Sequence, residues 1–204
     1  MIELYTWSTP NGRKVSIMLE AVRLPYRVIP VDITSGAQFE EYFLAISPNN
    51  KIPAIRDPEG PDGAPITLFE SGAILIYLAD KTGLFLPQEA RQRYEVLNWL
   101  MWQMGNFGPF LGQAHHFNRF ASEEVPYAIE RYRKVAGRLW EVLDQRLEGR
   151  DFVVDDLSIA DFAIYPWCAR HEYQEIDPSR YPRAQAYMKR MEHIEFVQRG
   201  MQVP

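Results

Sequence analysis

Cysteine is nearly absent: Cys168 is the one thiol in 204 residues. A single cysteine excludes an intramolecular disulfide, a Cys-x-x-Cys redox pair and a cysteine-based zinc site. It lies in the apolar stretch Ala163-Ile164-Tyr165-Pro166-Trp167-Cys168-Ala169, where a buried, inert thiol is expected. Positive charge is also short, with 22 Lys and Arg against 27 Asp and Glu, a net charge of −5 and a pI near 5.5. Without a basic cluster there is nothing to attract a phosphate backbone, so nucleic-acid binding is not expected. No apolar run approaches the roughly 20 residues that span a bilayer, so no membrane partner is expected. Met1-Ile2-Glu3-Leu4 leads straight into a strand without a charged start and an apolar core, and a cytoplasmic protein is expected. No low-complexity tract or internal repeat interrupts the chain, and 47% hydrophobic content is ample for a folded core.

What is present divides at Gly83-Leu84-Phe85-Leu86-Pro87. Before it, Ile2 to Thr6 and Tyr26 to Val31 read as strands flanking a helix over Lys14 to Leu24, in which Val15, Met18, Leu19 and Val22 recur at helical spacing. Strand, helix and strand in about thirty residues make a βαβ unit with parallel strands. Ile52 to Ile55 and Ile66 to Phe69 complete the sheet, and a helix runs from Ser71 to about Lys81. Beyond the division the strand signals stop. Helices are predicted over Arg91 to about Phe117, Pro126 to Leu147, Ile159 to about Glu172 and Tyr181 to Met191. The expected domains are therefore α/β over residues 1–82 and all-α over 89–204, joined by a linker at 83–88.

The stretch from Asn50 to Leu78 carries the chemistry. Proline cannot donate to a strand ladder, so Pro53 belongs at a strand's first residue or in a cis turn, leaving the Ile52 N–H and C=O to face outward. Such an edge can pair with an extended peptide. Ser71 lies between a strand and a helix, where its hydroxyl and the first helical N–H groups suit a carboxylate. Both features also have plain structural readings, a helix cap and an edge proline. Thr9 and Asn11 occupy the first turn, with Tyr5 and Ser8 as competitors; each offers a polar group near a helix N-terminus. Glu130-Arg131-Tyr132-Arg133 reads locally as a solvated helix face. Ser158-Ile159-Ala160-Asp161 reads as a capping box, with Leu157 and Phe162 placed for a hydrophobic staple. His115 and His116 are adjacent, so on a helix their side chains diverge, and no metal site is expected.

Several strings together resemble the glutathione transferases, specifically the bacterial Nu class: Thr9-Pro10-Asn11-Gly12, Ile46 to Ile55, Leu68 to Leu75, Gly112 to Asn118 and Pro126 to Tyr132. The resemblance spans nearly the whole chain and implies a thioredoxin-like N-terminal domain with an all-α C-terminal domain. It also implies a homodimer that binds two glutathiones, or glutathione disulfide, per site and reduces a small disulfide, with weak conjugating or peroxidase activity and no metal. It assigns the sulfur contact to Thr9 and Asn11 and the other glutathione contacts to Gln38, Lys51, Ile52, Glu70 and Ser71. Arg131 is implied to reach the ligand from the neighbouring subunit. Two alternatives stay open: a conventional transferase that conjugates glutathione to electrophiles through Tyr5 or Ser8, and a regulatory or binding module on the same fold.

Overall fold

In the computed structural model, which describes residues 1–204, β1 (Ile2–Thr6) and β2 (Tyr26–Pro30) run parallel and are connected by α1 (Pro10–Val22). β3 (Ala54–Asp57) lies antiparallel to β1, and β4 (Ile66–Phe69) antiparallel to β3, giving the order β2-β1-β3-β4. Successive strand residues face opposite sides, so Leu4 and Ile55 enter one core while Tyr5 and Ala54 enter another. The first core is fully buried and includes Val15, Met18 and Leu19 of α1 with Ile74, Leu75 and Leu78 of α3 (Ser71–Thr82). Tyr5, Val31, Phe43, Ile52 and Ala54 cluster on the other side, Phe43 being supplied by the short helix α2 (Glu41–Leu44).

The predicted boundaries shift where local chemistry intervenes. β3 starts two residues after the expected Ile52, because Pro53 brings no N–H to a ladder; the Ile52–Pro53 peptide is cis. α1 starts at Pro10, before the expected Lys14. Thr9 caps it and proline, whose missing N–H costs nothing in a first turn, occupies its first position. α3 ends at Gly83, whose φ of 70° is the left-handed conformation of a helix stop, with its N–H donated to the Ala79 carbonyl.

The chain forms two compact units, Met1–Leu86 with Ile194–Pro204, and Pro87–His193. This corrects the expectation that residues 89–204 make one helical domain. The chain returns at its end to the first unit, where α9 (Glu195–Gly200) lies on α1. The approach is close: a Cβ on Gly200 would lie 2.5 Å from the Ile17 Cα, and Ser16 Oγ donates to the Gly200 carbonyl at 2.7 Å. Arg199 adds an ion pair to Glu20 at 2.7 Å.

The second unit contains α4 (Ala90–Trp102), α5 (Gly108–His115), α6 (Pro126–Arg146), α7 (Ile159–Cys168) and α8 (Pro182–Glu192). The single helix expected from Arg91 to about Phe117 is broken into α4 and α5 by a π-helical turn at Gln103–Phe107, and a second such turn follows at His116–Phe120. Pro109 lacks the N–H that would bond back four residues, and the wider turn before it absorbs the gap. α7 is buried along its whole length and ends at Cys168, short of the expected Glu172, which lies in the 3-10 turn His171–Gln174. The capping box forms as expected: Asp161 Oδ2 accepts the Ser158 N–H at 2.9 Å, and Ser158 Oγ accepts from Ala160. Oδ1 of the same carboxylate takes the Val153 N–H at 2.9 Å, and burial pushes Asp161 up to about 6. Cys168 is fully buried, and burial raises its thiol far above the usual range. No helix is long and apolar enough to cross a membrane. A mixed four-stranded sheet with its helices in one unit, and helices alone in the other, is the thioredoxin-like plus all-α architecture expected from the sequence.

Candidate functional site

The sheet register brings one end of the first unit into focus. Tyr5 is opposite Ala54, and Ala54 is opposite Phe69, so a single row crosses β1, β3 and β4. Just beyond that row lie the end of β1 leading to Thr9, the residue Ile52 before β3, and the end of β4 leading to Glu70 and Ser71. β2 runs parallel to β1, so the segment holding Gln38 leaves from the same end. Residues far apart in sequence thus converge at one edge of the sheet.

Thr9 is the N-cap of α1 in extended conformation, φ −130°, and its Oγ1 accepts the Gly12 N–H at 3.1 Å. The cap uses an oxygen lone pair and leaves the hydroxyl proton to donate elsewhere. Asn11 follows in the first turn, where the helix dipole contributes positive partial charge. Gly12 permits this geometry, since a Cβ there would lie 2.4 Å from Thr6 Oγ1 and 2.5 Å from the Trp7 carbonyl. Of the two competitors Tyr5 is occupied, since its Oη donates to Glu3 Oε2 at 2.9 Å; Ser8 Oγ accepts from Arg13 at 2.9 Å, which leaves its proton available as in Thr9. Burial, reinforced by Glu3, also raises the Tyr5 phenol above its ordinary value.

Ile52 is buried as a side chain, but its N–H and C=O take no part in the β3 pairings, which begin at Ala54. Lys51 is exposed, and its carbonyl is held by Ser47 Oγ at 2.8 Å, which fixes the approach to Ile52. Glu70 is exposed at φ 67° and ψ 109°, a conformation that costs a side chain about 1–3 kcal/mol and concentrates at functional sites. Ser71 begins α3, and the helical ladder starts only with the Ile74 N–H on the Glu70 carbonyl, so the N–H groups before it have no acceptor within the helix. Gln38 is half-buried in the 3-10 turn Ala37–Phe39, and its Oε1 is buried without a hydrogen-bond partner. That is the state expected of an acceptor awaiting a ligand donor.

Arg131 belongs to the second unit, exposed on α6. Around it Glu130 pairs with Lys134 at 2.6 Å, and Arg133 pairs with Glu175. Those ion pairs account for its charged neighbours and leave Arg131 outside them. His115 turns into the protein against the Trp167 and Tyr173 rings, and burial lowers it to about 4.

One polar residue of the site passes unnoticed in the sequence. Lys14 is 1% exposed on α1, and its Nζ donates to Ser71 Oγ at 3.4 Å. Burial lowers it to about 7, and the Glu70 carboxylate opposes that shift. Its sequence signal was its spacing: Lys14 stands four residues before Met18, on the face that buries α1.

Comparison with known proteins gives this constellation a context. Residues 9–81 match the family described as glutathione S-transferase, N-terminal domain, and residues 107–195 match glutathione S-transferase, C-terminal domain. The chain is 51% identical over 193 residues to the disulfide-bond oxidoreductase YfcG of Escherichia coli K12, covering 94% of this chain and 90% of that protein. A glutathione transferase family member from Pseudomonas fluorescens Pf-5, solved with two glutathiones bound, is 45% identical with a TM-score of 0.94, covering 100% of this chain and 93% of that one. A glutathione transferase from Pseudomonas putida, solved with one glutathione disulfide per subunit, is 42% identical with a TM-score of 0.94, covering 100% and 91%. With both domains matched and these relatives aligned over most of their length, the chain belongs to the glutathione S-transferase family.

Proposed function

We propose that this enzyme reduces small disulfides with glutathione, as a Nu-class homodimer working in the cytoplasm. The observation that carries the reading is the convergence of Thr9, Ile52, Glu70 and Ser71 at one sheet edge in a chain whose one thiol is buried. The edge suits a γ-glutamyl peptide: Ile52 pairs with the cysteinyl backbone, Ser71 and the start of α3 take the α-carboxylate, and Glu70 takes the α-ammonium. Gln38 and Lys51 hold the remaining polar groups. The sulfur then faces Thr9 and Asn11 at the positive end of α1. A free thiol has a pKa of about 8.5, and hydrogen bonds beside a helix N-terminus lower it toward neutrality.

Without an accessible cysteine pair, both electrons come from glutathione. The first thiolate attacks the substrate disulfide, forming a mixed disulfide and expelling one substrate thiolate, which takes up a proton. A second glutathione thiolate attacks the glutathione sulfur of that mixed disulfide and expels the other substrate thiolate. Two glutathiones are oxidised to glutathione disulfide and one substrate disulfide is reduced to two thiols. The two relatives solved with two glutathiones or with glutathione disulfide support a site of that capacity. Arg131, outside its neighbours' ion pairs, supplies a carboxylate-binding fork to the partner subunit's ligand.

The test couples glutathione disulfide formation to a nicotinamide-dependent reductase, with a small dialkyl disulfide as substrate. Turnover far above uncatalysed exchange, lost in Asn11→Ala and weakened in Arg131→Ala, is the expected result. Background turnover with measurable glutathione binding would favour conjugation instead, and absence of both would favour a regulatory module.

A further inference from the structure

Between α6 and the segment leading into α8, the second unit holds a cleft of about 720 Å³, a volume typical of small-molecule sites. Five basic side chains and four carboxylates line it, in a chain whose net charge is −5. Most of these charges satisfy one another or a neighbour. Arg133 pairs with Glu175, Arg183 with Asp144 at 3.1 Å, and Lys134 with Glu130 at 2.6 Å. Asp177 caps the 3-10 turn Pro178–Arg180, accepting the Ser179 N–H at 3.0 Å. Two guanidinium groups remain. Arg138 on α6 and Arg180 at the end of that turn are exposed and enter no ion pair or hydrogen bond through their side chains. Tyr181 is half-buried in the cleft, with its ring 5.7 Å from that of the buried Trp140 and its Oη donating to the Gly137 carbonyl of α6 at 3.3 Å. Burial raises this phenol, Arg180 opposes the shift and Glu141 reinforces it, so charges from both walls bear on one point.

We propose that this cleft binds a small polyol phosphate, with Arg138 and Arg180 holding its phosphoryl group and Glu141 accepting from its hydroxyls. The charge balance selects the phosphoryl group. A phosphomonoester carries about −1.5 to −2 at neutral pH, so one such group compensates both guanidiniums, whereas a single carboxylate compensates one. The planar fork of each arginine addresses a pair of oxygens. Glu141 selects the rest of the ligand. It stands three residues beyond Arg138 on α6, so the two side chains are neighbours on one helix face, and it enters no ion pair. An ionised carboxylate only accepts hydrogen bonds, and its charge opposes a bare phosphate. A ligand that carries hydroxyl donors beside its phosphoryl group offsets that repulsion. Every residue of the cleft lies within Pro87–His193, so the proposal stands apart from the glutathione reading.

The experiment titrates glucose 6-phosphate and inorganic phosphate into the full-length protein by calorimetry, at about pH 8 for a dianionic phosphoryl group and at roughly 20 mM salt for weak screening. Glucose 6-phosphate should bind about tenfold more tightly than inorganic phosphate. Arg138→Gln and Arg180→Gln should each weaken both probes about tenfold, the worth of one charge-assisted hydrogen bond. Glu141→Ala should act in opposite directions, weakening glucose 6-phosphate about fivefold and tightening inorganic phosphate. Arg91→Gln, on α4 of the same unit, should change neither. All four positions are exposed, so the variants keep the fold. Undiminished binding when Arg138→Gln and Arg180→Gln are combined, or an equal loss in Arg91→Gln, would overturn the cleft as the site. Absence of binding by either probe at roughly 10 mM would overturn it too. Inorganic phosphate binding as tightly as glucose 6-phosphate would overturn the role of Glu141 and the polyol assignment.

Discussion

Tyr5 Oη donates to Glu3 Oε2 at 2.9 Å, so the phenol that competes with Thr9 and Asn11 for the sulfur contact is already committed to a carboxylate two residues back on the same strand face. Glu3 also takes Arg27 at 2.5 Å, and the Tyr5 hydrogen bond together with Arg27 holds the Glu3 pKa below its usual value. A phenol raised by burial and bonded to a carboxylate is a poor donor to a second anion. Tyr5→Phe should therefore keep disulfide-reductase turnover within about twofold of wild type. It should lower unfolding stability by about 1 kcal/mol, the worth of one hydrogen bond. Steady-state kinetics and denaturant unfolding check the two halves separately. A large loss of turnover would return Tyr5 to the sulfur site.

Asp57 ties β3 to α3. Its side chain is 3% exposed and accepts from Tyr77 Oη at 2.7 Å, from Lys81 Nζ at 2.8 Å and from the Glu59 N–H at 2.9 Å. Burial alone would raise its pKa, but Lys81, Tyr77 and Glu59 together hold it below the ordinary value. A carboxylate depressed in the folded state contributes stability that is fully present above its unfolded pKa of about 3.9 and is lost as pH falls through the folded value. Asp57→Ala should cost about 2 kcal/mol at neutral pH, since it strands a tyrosine, a partly exposed lysine and a backbone donor. The gap between wild type and variant should narrow as acid protonates Asp57, which urea unfolding at several pH values measures.

The apolar periodicity of α1, the capping box at Ser158 and Asp161, and the turn from Phe69 into Ser71 were all legible because each depends on residues within a few positions of one another. α9 was not. Six residues are too few for a helical period to stand out, and its place is set by Gly200 lying against Ile17, a contact between the two ends of the chain. The π-helical turns before Gly108 and after His115 escaped for a related reason, since a wider turn keeps helical spacing on either side. Within the candidate site, Thr9, Asn11, Ile52, Glu70 and Ser71 each stand in a local motif that the sequence displays. The partnerless Oε1 of Gln38 and the Lys14 contact with Ser71 depend on three-dimensional neighbours that no local pattern encodes.

Under the proposed function Thr9 has two duties that substitution can separate. Its Oγ1 lone pair caps α1 through the Gly12 N–H, while its proton is free for the sulfur. Thr9→Ser retains both and should behave as wild type. Thr9→Ala loses both: the helix loses a cap worth about 1 kcal/mol, and turnover should fall roughly a hundredfold with the missing donor to an anion. Thr9→Asp is the informative variant, because aspartate caps as well as threonine but offers no proton and brings a negative charge beside the thiolate. Its thermal stability should match wild type while turnover falls at least as far as in Thr9→Ala. Its bound glutathione should titrate at higher pH, read from the ultraviolet absorbance of the thiolate. If Thr9→Asp turned over normally, the hydroxyl would be a helix cap alone and the sulfur contact would pass to Asn11.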